Sequence, residues 1–168
     1  MTPRCETERF VLRRFVDGDL DELAAMVADN DQMRFYPRPK TREEASAWLS
    51  RNLELYRDPG YGIWLIESRT SSRFLGYCGI RPLALDDAAE VEIAWHVRKA
   101  CWGRGVATET ATAARDAAFG RFGVSRLVAI IPPEHGASRR VAEKIGMRYE
   151  RATAVDGEPL VVYGIARS

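Results

Sequence analysis

Long apolar runs, paired cysteines and an excess of charge of either sign are all missing from this 168-residue chain. No stretch approaches the roughly 20 apolar residues a membrane-spanning helix needs. The opening Met1-Thr2-Pro3-Arg4-Cys5-Glu6-Thr7-Glu8-Arg9 has no apolar segment behind its charges, so neither a signal peptide nor a membrane partner is expected. Lys and Arg number 25 against 24 Asp and Glu, a formal net charge of +1. With no field of one sign, nucleic acid is not an expected partner, and any anion must be held by a local site. Cys5, Cys78 and Cys101 are scattered and form no C-x-x-C pair, and the histidines are two, His96 and His135. That argues against a disulfide framework and a metal site, and for a reduced, cytoplasmic protein. Repeats, low-complexity tracts and Gly/Ser/Pro-rich linkers are also lacking, so residues 1–168 are read as one domain.

What is present is an alternation of strand and helix signals. Arg9 to Phe15 alternates and reads as a strand. Asp17-Gly18-Asp19 supplies a cap, with Leu20, Leu23, Ala24 and Val27 following at helical spacing. Thr41-Arg42-Glu43-Glu44 is a capping box that opens a second helix, which Pro59-Gly60 stops. Tyr61 to Glu67 and Phe74 to Arg81 read as a hairpin, and Leu83 to Ala88 as a loop. Ala89 to Val97 alternates again, with Glu90, Glu92, Ala94 and His96 on one face and Val91, Ile93, Trp95 and Val97 on the other. A Gly-bearing turn leads into a helix to about Phe122, with Ala107, Ala111, Ala114, Ala118 and Phe122 as its inner stripe. Leu127 to Ile131 is a short buried strand. A helix from about Ala137 to Ile145 closes on Gly146, and a last hairpin turns at Asp156-Gly157. The order β-α-α-β-β-β-α-β-α-β-β predicts a mixed α/β fold around a largely antiparallel sheet.

The segment Trp102-Gly103-Arg104-Gly105-Val106-Ala107-Thr108-Glu109 has the makings of an anion site. The first N–H groups of a helix lack intrahelical partners, and the helix dipole adds partial positive charge there. Gly103 and Gly105 let the backbone approach phosphate oxygens. Arg104, with Arg98 and Lys99 before it, adds cations, and Thr108 adds a hydroxyl. A lone Gly-x-Gly is equally a plain strand-to-helix turn, so the wider motif decides. No Gly-Lys-Ser/Thr follows, which rules out a P-loop. Thr108 stands where the dinucleotide fingerprint needs Gly or Ala, and the first acidic residue after the next strand, Glu134, comes too late for it.

The same segment resembles the "W-G-x-G-x-A-T-E" stretch of the GNAT acetyltransferases, in the branch of the RimJ/RimL ribosomal-protein N-acetyltransferases. Four further stretches resemble that branch in the family's order. They are Thr7-Glu8-Arg9-Phe10-Val11-Leu12-Arg13, Leu75-Gly76-Tyr77-Cys78-Gly79-Ile80, Glu90-Val91-Glu92-Ile93-Ala94-Trp95, and Ser138-Arg139-Arg140-Val141-Ala142-Glu143-Lys144-Ile145-Gly146-Met147. The resemblance implies a twisted sheet of about seven strands flanked by about four helices and splayed near its fourth strand. It also implies acetyl-CoA as co-substrate. The pantetheine arm would pair with the backbone around Ile93, Trp95 and Val97. The pyrophosphate would lie on the amides of Gly103, Arg104, Gly105, Val106, Ala107 and Thr108, with Arg98 nearby. Two positions depart from the pattern. Ala100 replaces the Gln or Arg that often opens the loop, and His135 replaces the Asn whose side chain contacts the pantetheine arm.

Acetyl transfer to an amine needs a base to remove a proton from nitrogen, donors for the developing oxyanion and a proton for the leaving thiolate. By position in the family pattern, Glu92 is the candidate base, with Glu90 in reserve. Ser138 is the candidate partner of the sulfur. A charged strand residue is as often simply solvated, and Ser138 is as readily a helix-cap residue. His96 reads as packing first, and a tyrosine acid between 138 and 147 is excluded by its absence. Arg139 or Arg140 is placed to reach the cofactor's 3′-phosphate. The acceptor is expected between the first two helices, at Asn30 to Lys40, and at the Leu83–Ala88 loop, where Asp29, Asp31, Asp86 and Asp87 supply negative charge. The reading is direct attack in a ternary complex on an N-terminal α-amino group. The alternatives are a small-molecule amine or a catalytically silent acyl-CoA-binding module, as a monomer or homodimer.

Overall fold

The computed structural model describes residues 4–168, so Met1-Thr2-Pro3 of the N-terminal reading lie outside it. Its elements are β1 (Arg4–Glu6), β2 (Phe10–Arg14), α1 (Leu20–Ala28), α2 (Arg42–Leu55), β3 (Ile63–Ser68), β4 (Phe74–Leu85) and β5 (Ala88–Val97). They continue with α3 (Val106–Gly120), β6 (Arg126–Ile131), α4 (Gly136–Lys144), β7 (Arg148–Val155) and β8 (Glu158–Ala166). The eight strands form one mixed sheet in the order β1-β2-β3-β4-β5-β6-β8-β7. Every neighbouring pair is antiparallel except β5 and β6.

Two expectations need correction. The extra strand is β1, too short to show a period, and it moves the cofactor strand of the sequence reading from fourth to fifth. Leu83 to Ala88 is not a loop. β4 and β5 are continuous ladders that exchange partners up to Leu85 opposite Ala88. Only Asp86 and Asp87 turn, at φ 49° and 62°, the left-handed pair a tight hairpin requires and Asp tolerates.

Successive β4 residues show how the layers lie. Tyr77 packs its ring against Trp48 of α2, 5.2 Å between centroids. Cys78, the next residue, meets Thr110 of α3. Side chains alternate across a strand, so α2 covers one face and α3 the other. The core is continuous through the sheet, from Leu12, Leu23 and Leu49 to Ile80, Ile93, Ala114 and Leu127. The small inner stripe of α3, Ala111, Ala114 and Ala118, is fully buried and lets the helix lie close on the sheet.

α2 begins at its capping box, Thr41 accepting from the Glu44 amide while Glu44 accepts from the Thr41 amide. It is fastened to the sheet by polar groups as well as packing. The Asn52 side chain accepts from the Ile63 amide (2.8 Å) and donates to the Ile63 carbonyl (2.8 Å) and the Tyr56 hydroxyl (3.0 Å). Tyr56 accepts in turn from the Phe15 amide at 3.0 Å. The Ile63 carbonyl also accepts from the Tyr56 hydroxyl, so replacing Asn52 by Ala leaves the Ile63 amide as the buried group without its partner, at about 1–3 kcal/mol. Asn52→Ala is therefore expected to lower stability, read by urea unfolding, by about 2 kcal/mol; a change under about 0.5 kcal/mol would contradict this role.

Candidate functional site

β5 and β6 share a single register position, Glu92 opposite Val128, and then part. The backbone of β5 beyond that point is the framework of the site. The Arg98 amide donates to the Leu75 carbonyl and the Ile80 amide to the Gly62 carbonyl. Carried through the β4–β5 register, this parity turns the even residues of β5 toward β4. The N–H and C=O groups of Ile93, Trp95 and Val97 then point away from β4 into the opening. The Val97 carbonyl is already taken, accepting from Trp102 Nε1 and from Gln32 Nε2, both at 2.8 Å. The bridge of Glu92 with Val128, with Glu92 turned toward β4, takes the Ile93 N–H to the Val128 carbonyl. Of the three residues singled out in the sequence, Trp95 keeps both backbone groups for an extended ligand, Ile93 its C=O and Val97 its N–H.

The opening ends at the glycine turn. Gly103 and Gly105 have φ 72° and 76°, a conformation that residues with a Cβ resist. Gly105 is the N-cap of α3 and offers no side-chain cap, so the amides of Val106, Ala107 and Thr108 are left for something outside the helix. The turn is held from the far edge of the sheet. Arg9 donates from its amide and from Nε to the Glu109 carboxylate at 3.0 and 2.7 Å, and from Nη1 to the Arg104 carbonyl at 2.9 Å. Burial works against the Glu109 carboxylate, but bonds from Thr7 and Arg9 hold it below the ordinary range. Beside the turn, Thr7, Gly105, Thr108, Thr112 and Lys144 line a surface groove of about 510 Å³. Arg98 is directed elsewhere: its guanidinium pairs with Glu22 of α1 at 3.1 Å and lies over Phe74.

α4 closes the other side of the opening. Ser138 accepts from Trp95 Nε1 at 3.1 Å, which leaves its own proton free to donate. His135, the N-cap residue of α4, stacks on Phe35 of the α1–α2 segment with centroids 3.9 Å apart. Its Nδ1 is buried without a partner, and burial, with Arg34 beside it, lowers its pKa. Arg139 is drawn inward, donating to the Tyr163 hydroxyl and the Pro133 carbonyl, and is not free for a phosphate.

On the α1–α2 face, the hairpin register sets Tyr77 opposite His96 and Arg81 opposite Glu92. Glu92 is not solvated. It is 5% exposed, and its Oε2 accepts from Arg81 Nε at 2.6 Å. Glu90 pairs with Arg126 at 3.2 Å. Arg81 also lines a cavity of about 390 Å³ with Trp48, Arg51, Glu54 and Asp58. Tyr36 lies over His96 (5.4 Å between centroids); the residue is 45% exposed, but desolvation at its hydroxyl end, with Glu92 nearby, pushes its pKa up to about 12. Burial holds the Tyr77 hydroxyl well above its ordinary range. The acidic residues expected to draw in a cation are mostly engaged. Asp86 accepts from Arg151 and Thr153, Asp31 pairs with Lys99, and Asp29 accepts from the Gln32 amide.

Arg81, Tyr36 and Gln32 escaped the sequence reading. Counting back from Asp86-Asp87 as a tight turn would have set Arg81 opposite Glu92. A single Gln in an irregular segment carries no such signal.

A model of the Acetyltransferase (GNAT) domain matches residues 9–148. The uncharacterised protein YkkB of Bacillus subtilis (strain 168) is 33% identical over 158 residues, 94% of this chain and 92% of that protein. An acetyltransferase from Agrobacterium tumefaciens str. C58 superposes with a TM-score of 0.87 at 27% identity, covering 99% of this chain and 96% of the other. RimL, a ribosomal L7/L12 alpha-N-protein acetyltransferase solved in complex with coenzyme A, shares the fold with a TM-score of 0.80 at 16% identity, covering 98% of each chain.

The buried histidine of this site makes a measurable prediction. The Gln32 carbonyl can only accept, so His96 carries its proton on Nε2 and donates to it (3.2 Å), and Nδ1 accepts from Tyr77 (2.9 Å). Burial pushes the imidazole down to about 4. The unfolded chain therefore binds the extra proton first. This group's contribution is complete above pH 6.5 and is lost as pH falls toward 4, on the order of 3 kcal/mol in all. His96→Gln is expected to flatten the stability–pH slope between pH 6.5 and 4, measured by urea unfolding. An unchanged slope would contradict the assignment.

Proposed function

The chain belongs to the GNAT acetyltransferase family, and from that premise we propose that it carries an acetyl group from acetyl-CoA to a primary amine by direct attack in a ternary complex. The observation that carries the reading is the open edge of β5, running into a helix start with no protein cap. An extended arm with alternating amide groups fits the Ile93 C=O, both backbone groups of Trp95 and the Val97 N–H. A pyrophosphate fits the amides from Gly105 to Thr108, which the left-handed Gly103 and Gly105 turn outward, with Arg104 adding charge.

The chain's own groups then divide the chemistry. Glu92 takes the proton that the attacking amine sheds, directly or through water, by its Oε1, which has no hydrogen-bond partner among the described residues. Arg81 orients that carboxylate. The Trp95 amide faces the position where negative charge develops on the carbonyl oxygen. As the C–S bond breaks, the Ser138 hydroxyl donates to the departing sulfur while its oxygen remains bonded to the Trp95 indole. The acceptor enters from the α1–α2 face, past Tyr36 and the cavity beside Arg81.

The preferred acceptor is a protein or peptide N-terminal α-amino group. The shared fold with RimL, which acts on such a group, supports it. A small-molecule amine is the second reading, favoured by the size of the cavity, about 390 Å³. Mass spectrometry of products from a panel of peptides and small amines separates the two. Tight acetyl-CoA binding with no product from any amine would overturn both and leave a silent binding module.

Two substitutions test the roles. Glu92→Gln is expected to lower kcat about a hundredfold and to remove the basic residue's limb from the pH–rate profile; an unchanged profile takes Glu92 out of the mechanism. Gly105→Glu sets a side chain and a negative charge against the pyrophosphate position and should weaken acetyl-CoA binding at least about a hundredfold. Normal affinity, read by calorimetry, would sink the placement of the cofactor.

A further inference from the structure

Gln32 has no part in the chemistry just described, yet it is 7% exposed and uses nearly every polar group it has. Its side-chain Nε2 donates to the Val97 carbonyl and its Oε1 accepts from the Lys99 amide, both at 2.8 Å. Its own carbonyl accepts from His96 Nε2, and its amide donates to Asp29. Lys99 reaches back to pair with Asp31. One amide side chain thus clamps both sides of the kink where β5 ends and the chain turns toward Gly103. The segment that carries the clamp continues through Phe35, stacked on His135, to Tyr36, above His96.

A buried primary amide that donates to one backbone group and accepts from another, two residues apart, specifies the geometry of both. Rotating it would set donor against donor and acceptor against acceptor. Neither partner can then shift alone. Order gained at residues 97–99 is passed to residues 31–36, and the reverse holds by linkage.

We propose that Gln32 is a positioning residue that couples the two substrates: seating acetyl-CoA on the glycine turn orders the Asp31–Tyr36 wall of the acceptor site. The inference rests on the reading of the turn as the acetyl-CoA site and of the α1–α2 segment as the acceptor wall. It explains why a loop that carries no catalytic group is tied by a buried side chain to the end of the cofactor strand.

Amide hydrogen exchange with and without saturating acetyl-CoA tests it, alongside calorimetric affinity and thermal denaturation to establish that each variant is folded. In the wild type, acetyl-CoA is expected to slow exchange about tenfold or more at residues 31–36 as well as at 97–108. Gln32→Ala is expected to keep protection at 103–108, to lose it at 31–36, and to bind acetyl-CoA about tenfold more weakly. Gln32→Glu, which keeps the acceptor for Lys99 but not the donor for Val97, should behave likewise. Trp102→Phe removes the other donor to the Val97 carbonyl without touching the segment, and should keep protection at 31–36. Wild-type binding without protection at 31–36 overturns the coupling and leaves the acetyl-CoA site standing. So does protection that survives in Gln32→Ala, or that Trp102→Phe abolishes equally. A wild type that does not bind acetyl-CoA overturns the proposed function and the coupling with it.

Discussion

β5 is held along its whole length on one side and at a single point on the other. Its ladder with β4 runs from Ala88 to Val97, while its backbone pairing with the parallel β6 is confined to Glu92 opposite Val128. A strand in that position must leave backbone donors and acceptors facing a gap, and an edge of that kind invites an extended partner. The groups proposed to act in acetyl transfer are arranged around this gap. The base candidate stands at the point where the strands part, the uncapped start of α3 stands at the far end, and α4 forms the opposite wall.

Keeping such a gap open requires that its borders be fixed from elsewhere. The turn at Gly103–Gly105 is clasped by Arg9, about a hundred residues earlier in the chain, through Glu109 and the Arg104 carbonyl. α4 is tied to β5 through Trp95 and Ser138, and to α3 through Arg115, which donates to the Ile145 carbonyl. The α1–α2 segment meets α4 through the stack of Phe35 on His135. Each border is set by long-range contacts between elements distant in sequence, so the opening is a property of the whole fold and not of one loop.

Much of this was legible in the residues. Alternation at 89–97, the capping box at Thr41, the small stripe of α3 and the turn at Asp156-Gly157 each have a local physical cause, and each was met in the structure within a residue or two. The glycine turn and α4 were placed because local motifs and the family resemblance agreed on them. What stayed hidden depends on pairing across distance. Read as a loop, Leu83–Ala88 concealed the register that sets Arg81 against Glu92. Arg98 reads as a phosphate cation by proximity to the turn, but strand alternation and α1 carry it to Glu22. Gln32 has no signature at all, because its role comes from what surrounds it.

The central claim is that the free edge of β5 and the first turn of α3 together receive acetyl-CoA, and a backbone 15N NMR titration tests it most directly. The largest shifts are expected at the amides of Trp95 and Val97 and of Gly105 to Thr108, with Trp95 Nε1 responding through Ser138. Saturable binding that shifts amides elsewhere and leaves those of β5 and the α3 turn unmoved would contradict it.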